Sequence, residues 1–254
     1  MHESIDDLRQ KAATAHRILA LTGSMNDSTG HVFVRIPGTN EMLARGRHAG
    51  DISPRYVEPN AMRRVGLDGR AAEDLQDYTL PPERYIGTEL LTLRPEVNCV
   101  IHAHPPAQVL CSNVDVPLQP IVGSQNWTGA MLAAKGVPVF PRALLIHTPD
   151  LGRHMAAVMS SRDAVLLKAH GNVVVGRTIE EATVRAIALE NLARLCWQIA
   201  LTGQEPPTIP FEDLEDNALQ SLLPNRPESG ARAWRYYEQL LEHGGRIDAT
   251  MTLE

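Results

Sequence analysis

Short strand patterns alternate irregularly with helix patterns along the whole chain, and this alternation is the strongest constraint on its fold. Residues 31–36 and 97–104 are rich in apolar and β-branched side chains, which predicts strands. Residues 4–22 and 178–201 carry apolar residues at helical spacing, each behind a residue suited to an N-cap. Glycine and proline are spread evenly, and we find no internal repeat. The pattern predicts one α/β domain with helices packed on a mixed sheet.

The size and composition of the chain exclude several classes of protein. With 254 residues, 43% of them hydrophobic, it can form one sizeable core but is short for two ordinary domains. A net charge of −6 gives no general attraction to nucleic acid, and no run of 18 apolar residues indicates a membrane span. The first nine residues lack the order of a signal peptide, and the three cysteines form no C-x-x-C pair. We therefore predict a cytoplasmic protein without nucleic-acid or membrane partners.

Two histidines lie close together in the strand pattern at residues 97–104. His102 and His104 are two positions apart, and successive strand side chains alternate between faces, so both rings lie on one face about 7 Å apart. A divalent ion can bridge rings at that distance. The pair alone is weak evidence for a metal, because two polar residues on an exposed strand end give the same pattern.

A third histidine, His170, follows the apolar strand pattern at residues 164–169. A buried ring needs a partner there, because leaving it unpaired is costly, and Gly171 allows a sharp turn or a close backbone approach. On its own, a histidine in this position is more often a hydrogen-bonded core residue than a ligand. Three neutral imidazoles around one ion would leave a coordination position open, which is typical of catalytic metal sites.

Three segments of the chain resemble the class II aldolase/adducin family. They are residues 30–35, 94–105 and 170–176, the last followed by Glu180-Glu181-Ala182, and the resemblance runs from about residue 5 to residue 202. It implies a three-layer α/β/α sandwich with a mixed central sheet. We take 1–254 as a single domain with 205–254 as its C-terminal extension. The resemblance also implies a homotetramer with sites between subunits.

The resemblance assigns roles to four residues. His102, His104 and His170 match the family's metal ligands, and Glu83 lies 19 residues before the first of them, at the position of the family's acid/base glutamate. The metal is expected to be a divalent ion, one of Zn, Mn, Fe, Co or Mg, since such sites accept several of them. Without the resemblance, Glu83 is also explained as an exposed carboxylate in the first turn of a helix, where the helix dipole favours it.

The residues around the metal positions differ from those of the family's sugar-phosphate aldolases. Those aldolases hold phosphate with small hydroxyl residues after the first strand pair and with two serines before the glutamate. Here the two places carry residues 43–47, of sequence LARGR, and Pro81-Pro82, and His31 replaces an asparagine. Proline offers neither an N–H nor a hydroxyl. The segment 144–153 resembles the family's decarboxylase branch, which acts on hydroxylated aromatic acids or their ring-opened semialdehydes.

We therefore predict a metal-dependent lyase that removes carbon dioxide from a small-molecule carboxylate, namely a hydroxylated aromatic (di)carboxylate or a related catabolic intermediate. Glu83 and His31 are the candidate proton donors. Arg35, Arg45 and Arg47 are candidates for holding a second carboxylate, because arginine pairs with carboxylates through two parallel hydrogen bonds. Solvated surface charges explain the three arginines equally well.

Two alternatives stay open from the sequence. Retro-aldol cleavage or dehydration of a sugar phosphate would use the same metal centre, and a non-catalytic adducin-like interaction module would keep the fold without the chemistry. The presence of all three histidines and Glu83 disfavours the second alternative. Tyr236 and Tyr237 lie in a tail that often reaches a neighbouring subunit's site in this family, which makes them further candidates.

Overall fold

Seven strands and the helices that cover them occupy the part of the chain that the computed structural model describes, residues 3–26, 29–51, 53–121, 126–210, 212–216 and 229–243. The strands are β1 His31–Arg35, β2 Glu41–Arg45, β3 Met62–Gly66, β4 Cys99–Ala103, β5 Val139–Phe140, β6 Ala164–Leu167 and β7 Gly171–Gly176. The helices are α1 Ile5–Leu21, α2 Arg84–Leu93, α3 Pro106–Asn113, α4 Trp127–Ala134, α5 Pro149–Met159, α6 Ile179–Leu201 and α7 Ser229–Glu242. Two short 3-10 turns, Pro54–Tyr56 and Pro59–Ala61, precede β3.

The strands form one mixed sheet in the order β3-β2-β1-β4-β7-β6-β5. Each neighbouring pair is antiparallel except β5 and β6, which are parallel. β4 is therefore the central strand, flanked by β1 and β7. The register places His31 of β1 opposite His102 on one side, and Val173 of β7 opposite His102 on the other.

Helices cover both faces of this sheet. α1 and α6 pack on the face that presents Val34, Ile101 and Val174, whereas α2 and α5 pack on the face that presents Val100 and Val173. Alternate residues of each strand thus contribute to two separate cores. This arrangement confirms the predicted three-layer α/β/α sandwich with a mixed central sheet.

A buried histidine of α1 supports the strand that leads to the site. The C-terminal end of β1 pairs with β2. Nearer the start of β1, the N–H of Val32 donates to Nε2 of His16 at 3.2 Å. The other ring nitrogen of His16, Nδ1, donates to the carbonyl oxygen of Ala12 at 2.9 Å. Burial, helped by the charge of Arg45, lowers the pKa of His16 to about 3. The ring therefore stays neutral, with one nitrogen donating and the other accepting.

The C-terminal helix α7 packs against α1 and α6 and buries Trp234 in the core on that face. The assignment of 205–254 as an extension of a single domain stays a prediction. All three cysteines are buried and unpaired. Among the described residues, no helix is long and apolar enough to cross a membrane.

Candidate metal centre

The centre lies where β4, the β6–β7 turn and the start of α2 meet. His102 is in β4 and His104 follows its last residue, while His170 lies in the turn just before β7, which pairs with β4. Glu83 is the residue that precedes α2. One ligand atom from each of these four residues lies within 4.8 Å of all the others. The fold thus brings together the three histidines and the glutamate that the sequence singled out.

The three imidazoles form an almost equilateral triangle. The ring centroids are 4.8 Å apart for His102 and His104, 5.0 Å for His102 and His170, and 4.9 Å for His104 and His170. The carboxylate of Glu83 lies beside two of these rings, with Oε2 3.2 Å from Nε2 of His102 and Oε1 3.7 Å from Nε2 of His170. Its Oε1 also accepts the backbone N–H of Ile146 at 3.0 Å, which fixes the carboxylate.

The hydrogen bonds of His102 turn its Nε2 toward the other ligand atoms of the centre. Its Nδ1 lies 2.8 Å from the carbonyl oxygen of Asn172 and donates to it, which leaves Nε2 to face the centre. That Nε2 faces Nε2 of His104 at 3.1 Å and the Glu83 carboxylate. Acceptors that face one another repel unless a proton or a metal ion lies between them. The donor set therefore fits a divalent metal ion.

The protonation of the other groups also suits a metal. Burial, with the charges of the neighbouring histidines, lowers the pKa of His104 to about 3, and burial likewise lowers the pKa of His170. Burial by itself raises the pKa of Glu83, but the hydrogen bond to His102 and the charges of His102 and His170 outweigh it and lower that pKa well below its usual range. Near neutral pH the centre therefore offers neutral rings at His104 and His170 and an ionised carboxylate at Glu83. Both ring nitrogens of His170 are buried, and Nε2 lies 3.7 Å from Oε1 of Glu83.

The backbone around His170 is shaped to bring it against β4. Ala169 has a φ of +52°, an unusual conformation for a residue with a side chain, and its N–H donates to the hydroxyl of Ser112 at 3.2 Å. A Cβ at Gly171 would collide with the carbonyl of Ala103 and the ring of His104. The sequence suggested a close approach at Gly171, and the structure identifies β4 as the approaching strand.

His31 lies behind the metal-ligand group. Its ring stacks on that of His102 with centroids 6.4 Å apart, and it is 2% exposed. Burial, followed by the charges of His102 and Arg47, lowers the pKa of His31 well below the usual range of histidine. Its Nδ1 has no hydrogen-bond partner among the residues that the structure describes. The structure thus brings His31 to the centre as a neutral ring.

The three candidate arginines lie in different surroundings. Arg47 is close enough for its charge to lower the pKa of both His31 and His104, and its Nε is buried without a partner in the described chain. Its backbone N–H and carbonyl both bond to Thr79. Of the three candidate arginines, Arg47 is therefore the one whose charge reaches the histidines of the centre.

Arg35 and Arg45 donate hydrogen bonds to groups outside the centre. Arg35 lies four residues along β1 from His31, about 13 Å by strand rise, and donates to the carbonyl oxygens of Leu91, Arg94 and Val97 near the end of α2. Arg45 is fully buried and donates to both carboxylate oxygens of Asp51, at 2.6 and 2.5 Å. It lines a separate cavity of about 220 Å³ to which no metal-centre residue contributes.

The two tyrosines of the C-terminal tail do not reach the centre of their own subunit. Tyr236 is exposed, and Tyr237 packs against the core on the α1 and α6 face, whereas His102 follows Val100 onto the opposite face. A role for either tyrosine would therefore have to be in a neighbouring subunit, and that role stays a prediction.

Three buried polar residues behind the centre were not predicted from the sequence, namely Asn172, Gln108 and Glu190. Asn172 is part of a segment that carried the family resemblance, but nothing distinguished its side chain from its neighbours. Gln108 and Glu190 are polar residues in helical segments, where a solvent-exposed position gives the same pattern. Only the packing of α3 on α6 reveals that both are inside.

The fold and this three-histidine, one-glutamate centre define the class of protein. The sequence profile of the family described as Class II Aldolase and Adducin N-terminal domain matches residues 10–197. The match covers well over half of the chain. The chain therefore belongs to the class II aldolase and adducin family.

Within that family, the chain is similar to two curated decarboxylases. It is 36% identical over 211 residues to the 3,4-dihydroxyphthalate decarboxylase of Arthrobacter keyseri, covering 82% of this chain and 85% of that protein. It is 36% identical over 230 residues to the 3,4-dihydroxyphthalate decarboxylase of Terrabacter sp. (strain DBF63), covering 90% and 94%. Among solved structures, the L-fuculose 1-phosphate aldolase from Glaciozyma antarctica PI12 superposes with a TM-score of 0.77 at 18% identity, covering 96% of this chain and 93% of that one. This last likeness concerns the fold alone.

Proposed function

We propose that this chain is a metal-dependent carbon–carbon lyase that decarboxylates a hydroxylated aromatic dicarboxylate of the 3,4-dihydroxyphthalate type. The observation that carries the proposal is the grouping of Glu83, His102, His104 and His170, whose ligand atoms all lie within 4.8 Å of one another. The similarity to two 3,4-dihydroxyphthalate decarboxylases over most of the chain supports the substrate class.

The metal would be held by His102, His104 and His170, with Glu83 as a fourth ligand when no substrate is bound. Imidazole donors favour Zn, Fe or Co over Mg, which prefers oxygen ligands, while Mn stays compatible with a mixed set. A bound divalent ion would supply a Lewis acid that stabilises negative charge on the substrate oxygen next to the bond that breaks.

Glu83 is the proposed proton carrier. It is ionised and fixed by Ile146, so it can accept the proton of a substrate hydroxyl as the substrate binds. The bond between the ring carbon and the carboxylate then breaks. Carbon dioxide leaves, and the electron pair of the broken bond stays on the ring carbon. Glu83 returns the proton to that carbon, and the product oxygen takes up one proton from water. His31, which lies behind His102, is the second candidate proton donor.

Arg47 is proposed to hold the second carboxylate of the substrate. Its charge reaches His31 and His104, its buried Nε has no partner among the described residues, and arginine binds carboxylates through two parallel hydrogen bonds. Arg35, which donates to backbone carbonyl groups, and Arg45, whose Nη2 pairs with Asp51, are left out of the proposed site. Retention of the carboxylate next to Arg47 would leave the other carboxylate as the departing group.

The retro-aldol alternative is favoured only by the aldolase fold and the shared donor set. Two prolines, Pro81 and Pro82, precede Glu83 where hydroxyl groups would be needed to hold a phosphate. The assembled donor set also disfavours a purely structural adducin-like role, because such a module has no need of a buried carboxylate facing three imidazoles.

The test uses purified protein that is stripped with a chelator and reloaded separately with Zn, Mn, Fe, Co and Mg. Each form is incubated with hydroxylated benzoates, hydroxylated phthalates and sugar phosphates, and both carbon dioxide and aldehyde are measured. We expect metal-dependent carbon dioxide release from a phthalate with a hydroxyl next to a carboxylate. Aldehyde from a sugar phosphate, with no carbon dioxide from any aromatic acid, would refute the proposal.

We further propose that the chain works as a homotetramer in a reducing compartment such as the cytoplasm. The unpaired, buried state of Cys99, Cys111 and Cys196 supports the compartment, and membership of the family supports the assembly. Light scattering at micromolar concentration should give about four times 27.9 kDa. A fully active monomer would contradict the proposed assembly.

A further inference from the structure

A line of buried polar side chains connects helix α6 with the end of β4, where His102 and His104 lie. It consists of Glu190 in α6, Gln108 in α3 and Asn172 in β7, which are at most 2% exposed. None of the three belongs to the metal-ligand group. Buried polar groups in series must be fully hydrogen-bonded to be tolerated, so their arrangement is highly specific.

The inner end of this line is Asn172, which contacts the histidine strand twice. Its backbone carbonyl accepts the Nδ1–H of His102 at 2.8 Å, which fixes the tautomer that exposes Nε2 to the centre. Its side-chain Oδ1 accepts the N–H of Ala103 at 3.2 Å, between the two histidines. The Nδ2 of Asn172 donates to Oε1 of Gln108 at 2.9 Å.

The outer end is the carboxylate of Glu190, which accepts from the first turn of α3. It accepts the backbone N–H of Ala107 at 3.1 Å and that of Gln108 at 3.3 Å, and the Nε2 of Gln108 donates to it at 3.5 Å. Arg194, one turn further along α6, donates to the same carboxylate at 3.1 Å. The negative charge is thus compensated by the start of a helix and by a guanidinium.

The direction of every hydrogen bond in this line follows from its two ends. A carboxylate only accepts, so the amide group of Gln108 must turn its NH₂ toward Glu190 and its oxygen toward Asn172. Asn172 must then turn its NH₂ toward Gln108 and its oxygen toward the N–H of Ala103. If the side chain at position 190 donated a hydrogen bond instead of accepting one, the amides of Gln108 and Asn172 would both have to turn over. The side chain of Asn172 would then present a donor to the N–H of Ala103, which lies between His102 and His104.

We propose that Glu190, Gln108 and Asn172 form a positioning relay that holds His102 and His104 in place for metal binding. The relay rests on the metal centre of the proposed function and adds to it three residues that do not touch the metal. Its measurable consequence is that the affinity of the centre for metal depends on the direction of these hydrogen bonds.

The first test measures the affinity for Zn²⁺ by competition with a chromophoric chelator. Gln108→Leu breaks the relay in its middle and should weaken Zn²⁺ binding by roughly 10- to 100-fold. Cys111→Ala is the matched control, because Cys111 is a buried residue of the same helix that contacts the carbonyl of Ala193. It should lower the melting temperature without changing Zn²⁺ affinity. Equal affinity of Gln108→Leu and wild type would overturn the relay alone, whereas wild type that binds no Zn²⁺ would overturn the proposed function as well.

The second test reverses the polarity of the whole line. Glu190→Gln alone, or Asn172→Asp alone, leaves two donors or two acceptors facing each other, so each should weaken Zn²⁺ binding by about tenfold or more. In the double variant, the new amide at position 190 can donate to the oxygen of Gln108. The NH₂ of Gln108 can then donate to the new carboxylate at position 172, which still accepts from Ala103. The backbone N–H of Gln108 loses its acceptor whenever position 190 is an amide that donates to Gln108, so the Zn²⁺ affinity of the double variant should exceed that of each single variant without reaching wild type, a departure from additivity.

Simple charge effects predict a different pattern. An added negative charge at residue 172 would strengthen Zn²⁺ binding, and a lost one at residue 190 would weaken it. Opposite effects of the two single changes, or additive effects in the double variant, would overturn the relay. Circular dichroism of the metal-free proteins identifies any variant that fails to fold, and the recovery in the double variant then decides the question.

Discussion

Replacing Glu83 with glutamine is the most direct perturbation of the proposed chemistry. The side chain is 8% exposed, and its Oε1 accepts from the N–H of Ile146 at 3.0 Å, a bond that a glutamine oxygen can keep. The atom that changes is Oε2, which lies 3.2 Å from Nε2 of His102. An amide group in that place cannot take up or return a proton, so the shape of the site is kept while proton transfer is lost.

The expected loss follows from that change. A general acid/base group contributes about 10² to 10⁴ in rate, which corresponds to about 2.7 to 5.4 kcal/mol of transition-state stabilisation at 1.36 kcal/mol per factor of ten. The loss should appear in kcat, with little change in KM, because Arg47 and the metal would still bind the substrate. The three histidines remain, so metal content should stay stoichiometric in protein purified with metal.

The assay is carbon dioxide release under saturating substrate, with the metal content of the same sample measured by elemental analysis. Glu89→Gln is the matched control, because Glu89 lies on α2, the helix that Glu83 precedes, but pairs with Arg153 at 3.4 Å. It should retain near wild-type turnover. If Glu83→Gln with its metal bound turned over within about tenfold of wild type, the assignment of Glu83 as the proton carrier would be wrong.

Three further perturbations test other parts of the site and fold. His170→Ala should lose most of its bound metal and nearly all activity, and full metal occupancy in elemental analysis would remove His170 from the centre. Arg47→Ala should raise KM more than it lowers kcat in steady-state kinetics, and an unchanged KM would exclude it as the carboxylate site. The pKa of His16 in the folded protein, about 3, lies below its ordinary value of 6.5. The unfolded chain therefore binds more protons between these values, so the free energy of unfolding should fall as the pH drops from 6.5. In denaturant titrations, His16→Gln should make that dependence shallower by about 1.4 kcal/mol per pH unit, and equal slopes would contradict the burial of a neutral ring.

The parts of the fold that the sequence predicted well are those with local signals. The N-cap of α1 at Ser4 and that of α6 at Thr178 lie where the sequence predicts them, since their side chains accept the N–H groups of Asp7 and Glu181. β7 was not predicted as a separate strand. It is buried on both faces and therefore lacks the alternation by which a half-exposed strand is recognised.

The residues of the site also fall into those with a local signal in the sequence and those without one. The spacing of His102 and His104 is a local property of one strand, so the pattern shows it. The guanidinium of Arg35 donates to the carbonyl groups of Leu91 and Arg94. These residues are distant in sequence, and their carbonyl groups come within reach only once α2 packs beside β1. Such long-range pairing leaves no periodic signal, and the same is true of Glu190.

The hairpin of β6 and β7 makes the length of this part of the chain unusually hard to change. Leu167 pairs with Gly171, so three residues connect the strands and the last of them is His170. An insertion of one residue at the start of β7 would have two effects together. It would turn Asn172 to the opposite face of the sheet, and it would shift His170 along the strand direction. Insertions and deletions that arise among related chains should therefore accumulate in connections such as residues 46–61, while the hairpin keeps a constant length even where its side chains vary.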